Sequence, residues 1–189
     1  MNGDKFMEDL SLHILDIVEN SITAGATNIR IKIKEDTKEN LLLIEISDNG
    51  KGMNEEMLKN ALDPFHTTRT TRNVGLGIPF LADAAREADG DISIKSVKGE
   101  GTTITATFRR DNIDRKPLGD IGKTLIVIIA SNPGIDIVFE HKKNTSEYLL
   151  DTAEIKKDLD GVPINTPGVI KIIENDLKEW FNSSELMIK

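Results

Sequence analysis

Residues Leu12–Thr27 read LHILDIVENSITAGAT, and the fold is decided by how this stretch is read. At 3.6 residues per turn, Leu10, Ile14, Leu15, Val18 and Ile22 fall on one face of an amphipathic helix. Asp16 and Asn20 stand four apart, so they share a second face, one turn above the other. An acid and an amide stacked beside an apolar stripe can look into a cleft. A helix with a plain solvated face would carry the same pair, so the glycine pattern further along the chain has to decide between them. The turn Ala24-Gly25-Ala26 ends the helix, and Asn28–Lys34 (NIRIKIK) then alternates apolar and polar as a strand does.

Outward from there, Leu41–Ile46 (LLLIEI) reads as a second strand, able to pair with the first across the polar turn Glu35–Asn40. It runs into Asp48-Asn-Gly-Lys-Gly-Met53, and Asn54 then caps a short helix ending near Leu62. Asp63–Asn73 (DPFHTTRTTRN) is polar, Thr/Arg-rich and aperiodic, with Phe65 as its apolar anchor, and reads as a loop that a ligand would order. Gly75-Leu76-Gly77 opens a further helix, where Pro79 is tolerated because first-turn N–H groups have no partner within the helix. Asp91–Val97 and Thr102–Arg109 are alternating strands joined by the hairpin signal Lys98–Gly101. The order helix, two strands, helix, loop, helix, two strands predicts a mainly antiparallel sheet with helices on one face.

Beyond Asp111 the texture changes. Asp111–Gly122 reads as a linker, Thr124–Ser131 (TLIVIIAS) as a buried strand, and Ile135–His141 and Glu147–Leu150 as two more. Helices are expected near Thr152–Leu159 and Pro167–Phe181. The predicted division is 1–112 for the first domain and 113–189 for a small α/β extension.

Composition narrows the function classes. The 189 residues carry a net charge of −8, with 38% hydrophobic and 30% charged residues, as in ordinary globular proteins. An acidic balance argues against nucleic acid and anionic membranes as partners. The absence of cysteine excludes disulfides and thiolate metal sites. With no apolar run long enough to span a bilayer and no signal-peptide core, a cytoplasmic location is expected.

Four features share one physical logic. Asp48, at a strand end, can accept a hydrogen bond from an exocyclic amine, the contact that separates adenine from guanine. Gly50 and Gly52 remove side chains where a ring would approach the backbone. Gly75 and Gly77 at a helix start present N–H groups to an anion. Asn20 offers a neutral carbonyl oxygen suited to Mg²⁺, which takes its other ligands from water and phosphates.

These motifs, in this order and spacing, resemble those of the GHKL ATPases: gyrase, heat-shock chaperones, histidine kinases and mismatch-repair proteins. IVENSITAGAT (Ile17–Thr27) is most similar to the mismatch-repair branch. DPFHTTR, VGLGIPF and GEGTTITATF look more like the histidine-kinase branch. The resemblance covers roughly residues 7–110 and implies the Bergerat α/β sandwich, with ATP and Mg²⁺ as ligands. By motif position, Asn20 would carry the metal and Asp48 would bind adenine. Gly50, Gly52 and Met53 would shape the base pocket, and Thr102 or Thr103 would support its adenine end. Phe65, Thr67, Thr68, Arg69, Gly75, Leu76 and Gly77 would form the phosphate-side lid.

Two departures shape the functional expectation. The hydrolysing branches of the family place a glutamate four residues before the asparagine, as general base for water. Here Asp16 occupies that position, one methylene shorter, which implies slow hydrolysis and leaves Asp16 as a base for a hydroxyl acceptor. A histidine kinase carries its phosphoacceptor on a helical hairpin ahead of this domain, and only a short segment precedes the helix here. The leading expectation is therefore a stand-alone kinase-like domain that passes the γ-phosphate to a histidine or serine of a partner protein. The alternatives are an ATP-dependent dimerising switch with slow hydrolysis and a non-enzymatic nucleotide sensor. His13 reads as a packing residue. Gly122-Lys-Thr124 is not a Walker loop, since no strand precedes it and Pro117 stands at its first glycine position.

Overall fold

The computed structural model describes residues 9–62 and 77–186. Phe65, Thr67, Thr68, Arg69, Gly75 and Leu76, and the loop predicted over Asp63–Asn73, lie outside the described residues.

The opening helix forms as read: α1 spans Leu10–Thr23, with Asp9 as N-cap accepting the Leu12 N–H. Its buried face is Leu10, Ile14, Ile17 and Val18, with His13 and Ser21, while Leu15 and Ile22 pack at the margin. Strands β1 (Asn28–Asp36) and β2 (Leu41–Asp48) make the predicted antiparallel pair. The short helix α2 (Glu55–Asn60) has Asn54 as its N-cap, and α3 covers Gly77–Glu87. Strands β3 (Asp91–Val97) and β4 (Gly101–Arg109) form the hairpin, which joins the sheet through β4 against β2.

The largest departure from the sequence reading is Thr124–Ser131, expected as a strand. It belongs to helix α4, Ile121–Ser131. Ile121, Thr124, Leu125, Ile128 and Ile129 are its buried residues, a 3.6-residue period inside an almost wholly apolar run. The Asp120 carboxylate accepts the Lys123 N–H at 2.8 Å, so the helix starts inside the presumed linker. Packing against α1 outweighs the β-branched composition of the run.

Strands β5 (Asp136–Lys143) and β6 (Ser146–Asp151) come next, then α5 (Thr152–Asp158) and α6 (Pro167–Leu186), close to the predicted ranges. β5 pairs with β1 in parallel, so the six strands make one sheet in the order β3-β4-β2-β1-β5-β6. Ile29, Ile31, Ile33, Leu42, Ile44, Ile46, Ile104, Ala106, Phe108, Ile137 and Phe139 point to one side and are buried under the helices. The opposite side alternates Lys, Glu, Thr and Ser and faces solvent, giving the expected α+β sandwich with helices on one face. No described helix is long and apolar enough to cross a membrane.

Candidate nucleotide site

On β2, β4 and β3, neighbours in the sheet, the inward residues are apolar until one end, where all three turn polar together. On β2 the series Leu42, Ile44, Ile46 ends in Asp48, and on β4 Thr102 precedes Ile104, Ala106 and Phe108. On β3 the inward series Ile92, Ile94 ends in Ser96. Register places them in one row: Asp48 lies opposite Thr102, and Thr102 opposite Ser96. Directly paired residues have Cβ atoms about 4.5–5.5 Å apart, so the row is a continuous polar strip at the rim of an apolar core.

Asp48 is held from two sides. The Ser21 hydroxyl of α1 donates to Oδ2 at 2.7 Å, and the Gly50 N–H donates to Oδ1 at 2.8 Å. An ionised carboxylate has about four acceptor positions, so each oxygen keeps room for a ligand's N–H. Ser21 also lies 3.2 Å from the Ile17 carbonyl, which ties the carboxylate to the helix carrying Asn20. Asn49 accepts the N–H groups of Thr27 and Asn28, both at 2.9 Å, and clamps the turn behind the pocket.

Glycine is required at two places around this row. Gly52 has φ +61°, and a Cβ there would lie 2.0 Å from the Val97 carbonyl oxygen. Gly101 has φ +120°, and its Cβ would meet the Asp48 carbonyl oxygen at 1.9 Å. The Asp48–Met53 loop thus touches the end of β3 and the start of β4 backbone to backbone. The Met53 N–H donates to Ser96 Oγ at 2.8 Å and fixes the far side of the loop.

One turn along α1 from Asp16, Asn20 is half-buried, and its side-chain amide has no hydrogen-bond partner among the described residues. Asp16 is exposed and lies at the seam between α1 and α3: a Cβ on Gly77 would come within 2.9 Å of the Asp16 Cβ. Asp16 thus meets the start of α3, and Ser21, next to Asn20, ties the same helix to the polar row.

Of the predicted residues, Asp48, Gly50, Gly52, Met53 and Thr102 come together around the row; Asp16 and Asn20 lie on the helix that Ser21 ties to it, with Gly77 against Asp16. Thr103 does not join them. It pairs with Ser47 and Lys95, the residues of opposite parity, so its side chain stands on the solvent face of the sheet. Sequence reasoning missed Ser21, Ser96 and Gly101. The signal for Ser96 was present: a serine at the inward position of a strand whose other inward residues are isoleucines.

With this geometry in place, likeness to known proteins becomes informative. The sequence model of the family described as histidine kinase-, DNA gyrase B-, and HSP90-like ATPase matches residues 8–112. The chain belongs to this family. Among curated relatives, the tetrathionate sensor histidine kinase TtrS of Salmonella typhimurium is 36% identical over 103 residues. That match covers 52% of this chain and 17% of TtrS. Sporulation kinase C of Bacillus subtilis is 30% identical over 104 residues, covering 55% of this chain and 24% of the kinase. The chain thus spans about a quarter or less of these two relatives. A solved N-terminal domain of a DNA repair protein superposes with a TM-score of 0.54 at 19% identity, covering 76% of this chain and 52% of that one. This likeness shows the fold, and it extends over more of the chain than the family match does. Residues 8–112 are therefore a histidine kinase-like ATPase domain, and membership of this ATPase family implies ATP as its ligand.

Proposed function

We propose that the ATPase domain binds ATP with Mg²⁺ at the Asp48–Thr102–Ser96 row and passes the γ-phosphate to a partner protein. The observation that carries this reading is the row itself: a polar strip bounded by two obligatory glycines and tied through Ser21 to the helix that carries Asp16 and Asn20. Asp48 would accept the adenine amine while Thr102 contacts the same edge of the base. Asn20 fits a metal role, because a half-buried amide with no described partner offers a neutral oxygen for one position of an octahedral ion. A bound Mg²⁺ would neutralise charge on the phosphate oxygens.

Transfer to a partner is supported by where the described histidines lie. His13 is buried, with Nε2 at 3.5 Å from Lys116 Nζ, and His141 is closed in by Glu35 and Trp180. Neither can present a nucleophile at the pocket. An incoming imidazole nitrogen would form the N–P bond as the bond to the bridging oxygen breaks, with ADP leaving with the electron pair. An imidazole needs no base for this step, whereas a serine hydroxyl must lose its proton, which Asp16 would take.

The position of Asp16 four residues before Asn20, against Gly77, favours a second reading in which the domain is a slow ATP-hydrolysing switch. Incubation with γ-labelled ATP, alone and with partner proteins, separates the two. The transfer reading expects label on a partner and little free phosphate, with Asp16→Glu raising hydrolysis by up to about a hundredfold as the base regains its reach. Free phosphate without protein label, together with slower hydrolysis in Asp16→Glu, would replace transfer by the switch.

A further inference from the structure

The Ser96 hydroxyl makes three contacts. It lies 2.8 Å from the Met53 amide nitrogen, 3.0 Å from the Gly101 carbonyl oxygen and 2.9 Å from Thr102 Oγ1. A serine hydroxyl has one proton and two acceptor positions. The Met53 N–H is a donor only and takes one of the acceptor positions. The Ser96 proton then has two possible destinations, Gly101 O or Thr102 Oγ1, and cannot serve both.

The choice fixes what Thr102 shows to the pocket. When the Ser96 proton goes to Gly101, Thr102 must donate to Ser96, and it presents only lone pairs to the space beside Asp48. When the Ser96 proton goes to Thr102, the Thr102 proton is released toward that space. The two arrangements differ by rotation of two hydroxyl groups, with no change in charge. They make Thr102 an acceptor in one case and a donor in the other.

The edge of adenine next to Asp48 carries both kinds of group. Its exocyclic amine is a donor and suits the acceptor-only carboxylate. The neighbouring ring nitrogen, N1, is an acceptor and needs a donor. Asp48 cannot supply one, and its opposite number in the row, Thr102, can do so only in the second arrangement. We propose that Ser96 is a positioning residue for base recognition: it turns its proton from the Gly101 carbonyl to Thr102 and so commits the Thr102 hydroxyl to donate to the acceptor nitrogen of the base. This rests on the reading that ATP occupies the pocket. In this role Ser96 acts on the base through Thr102, while its bond from the Met53 N–H holds it in place.

The test compares ATP with an analogue in which N1 is replaced by C–H, titrated by calorimetry into wild type, Ser96→Ala, Ser96→Thr and Thr102→Val. Wild type is expected to prefer ATP by about tenfold, the range for one hydrogen bond in a buried site. Thr102→Val should abolish the preference, Ser96→Ala should reduce it severalfold, and Ser96→Thr, which keeps the hydroxyl, should retain it. Added to Thr102→Val, the Ser96→Ala change should leave the ratio unaltered. A purely structural Ser96 would weaken both nucleotides equally and leave the ratio at its wild-type value, which overturns the inference. Equal affinity of wild type for both nucleotides overturns it as well, whether or not the variants fold, while leaving the ATP reading intact. No binding of either nucleotide to wild type would overturn both.

Discussion

At one end of the sheet, Asp48, Thr102 and Ser96 stand in a row on the helix-facing side; at the other, Glu35, His141 and Tyr148 occupy the same side of β1, β5 and β6. The distal group is closed. The Trp180 indole N–H donates to His141 Nδ1 at 2.9 Å, and an indole nitrogen is only a donor, so Nδ1 must carry a lone pair. The imidazole proton therefore sits on Nε2 and points at Glu35 Oε1, 3.1 Å away. Both ring nitrogens are used, and the ring is 1% exposed. Tyr148 stacks on Trp180 with ring centroids 5.3 Å apart and donates its hydroxyl to Asp176 of α6. Burial, reinforced by that hydrogen bond, pushes the Tyr148 hydroxyl well above its ordinary value. At the Asp48 end, by contrast, the carboxylate keeps acceptor positions and two hydroxyl protons can rotate. At the far end the polar groups are used up in docking a helix, whereas the half-buried groups around Asp48 keep hydrogen-bonding capacity to spare.

The contrast can be broken most forcefully at His141. Replacing it with leucine strips the Trp180 N–H and the Glu35 carboxylate of their imidazole partner, and should cost about 2–4 kcal/mol of stability. ATP affinity should stay within about twofold of wild type, because the change lies at the opposite end of the sheet. Trp180 is the only tryptophan, so its fluorescence reports the undocking of α6 directly, alongside the chemical-denaturation midpoint. A comparable loss of nucleotide affinity would show that the two ends are not independent.

A smaller effect sharpens the same contrast through pH. Burial raises the Glu35 carboxyl, but the His141 hydrogen bond and the charge of Lys143 outweigh it and hold the group below its ordinary value of 4.5. A carboxylate whose folded-state value is depressed adds stability above its unfolded value and loses it as pH falls through the folded one. Glu35→Gln should therefore lower the melting temperature most at neutral pH, and the gap to wild type should close as pH drops below 4.5. A gap that widens on acidification would contradict the arrangement.

Much of the Asp48 end was legible in the sequence, because motifs with fixed spacing report local geometry. The Asp48–Met53 box and the Asn20 helix specify a strand end and a helix face without knowledge of the remainder. Thr102 and Thr103 were left as alternatives because strand parity was not carried through from Phe108 back to Thr102; register puts Thr102 on the inward side and Thr103 on the other. The Glu35–His141–Trp180 group was invisible for a different reason: its members come from three elements brought together by the parallel pairing of β5 with β1 and the docking of α6, which no local pattern announces. Helix α4 was misread because Thr124–Ser131 is apolar at nearly every position, so neither period stands out until the Asp120 cap is noticed. Ser21 stands next to Asn20, yet its bond to Asp48 spans 27 residues and emerges only when α1 is laid on the sheet.

Whether the incomplete end of the sheet binds adenine through Asp48 is tested most directly by calorimetric titration of ATP·Mg²⁺ into wild type and Asp48→Asn. Asparagine preserves size but sets an N–H₂ group where the carboxylate accepts from Ser21, Gly50 and the base. Binding should therefore weaken by about 1–3 kcal/mol, with the melting temperature little changed. Wild-type affinity in Asp48→Asn would contradict adenine recognition by this carboxylate.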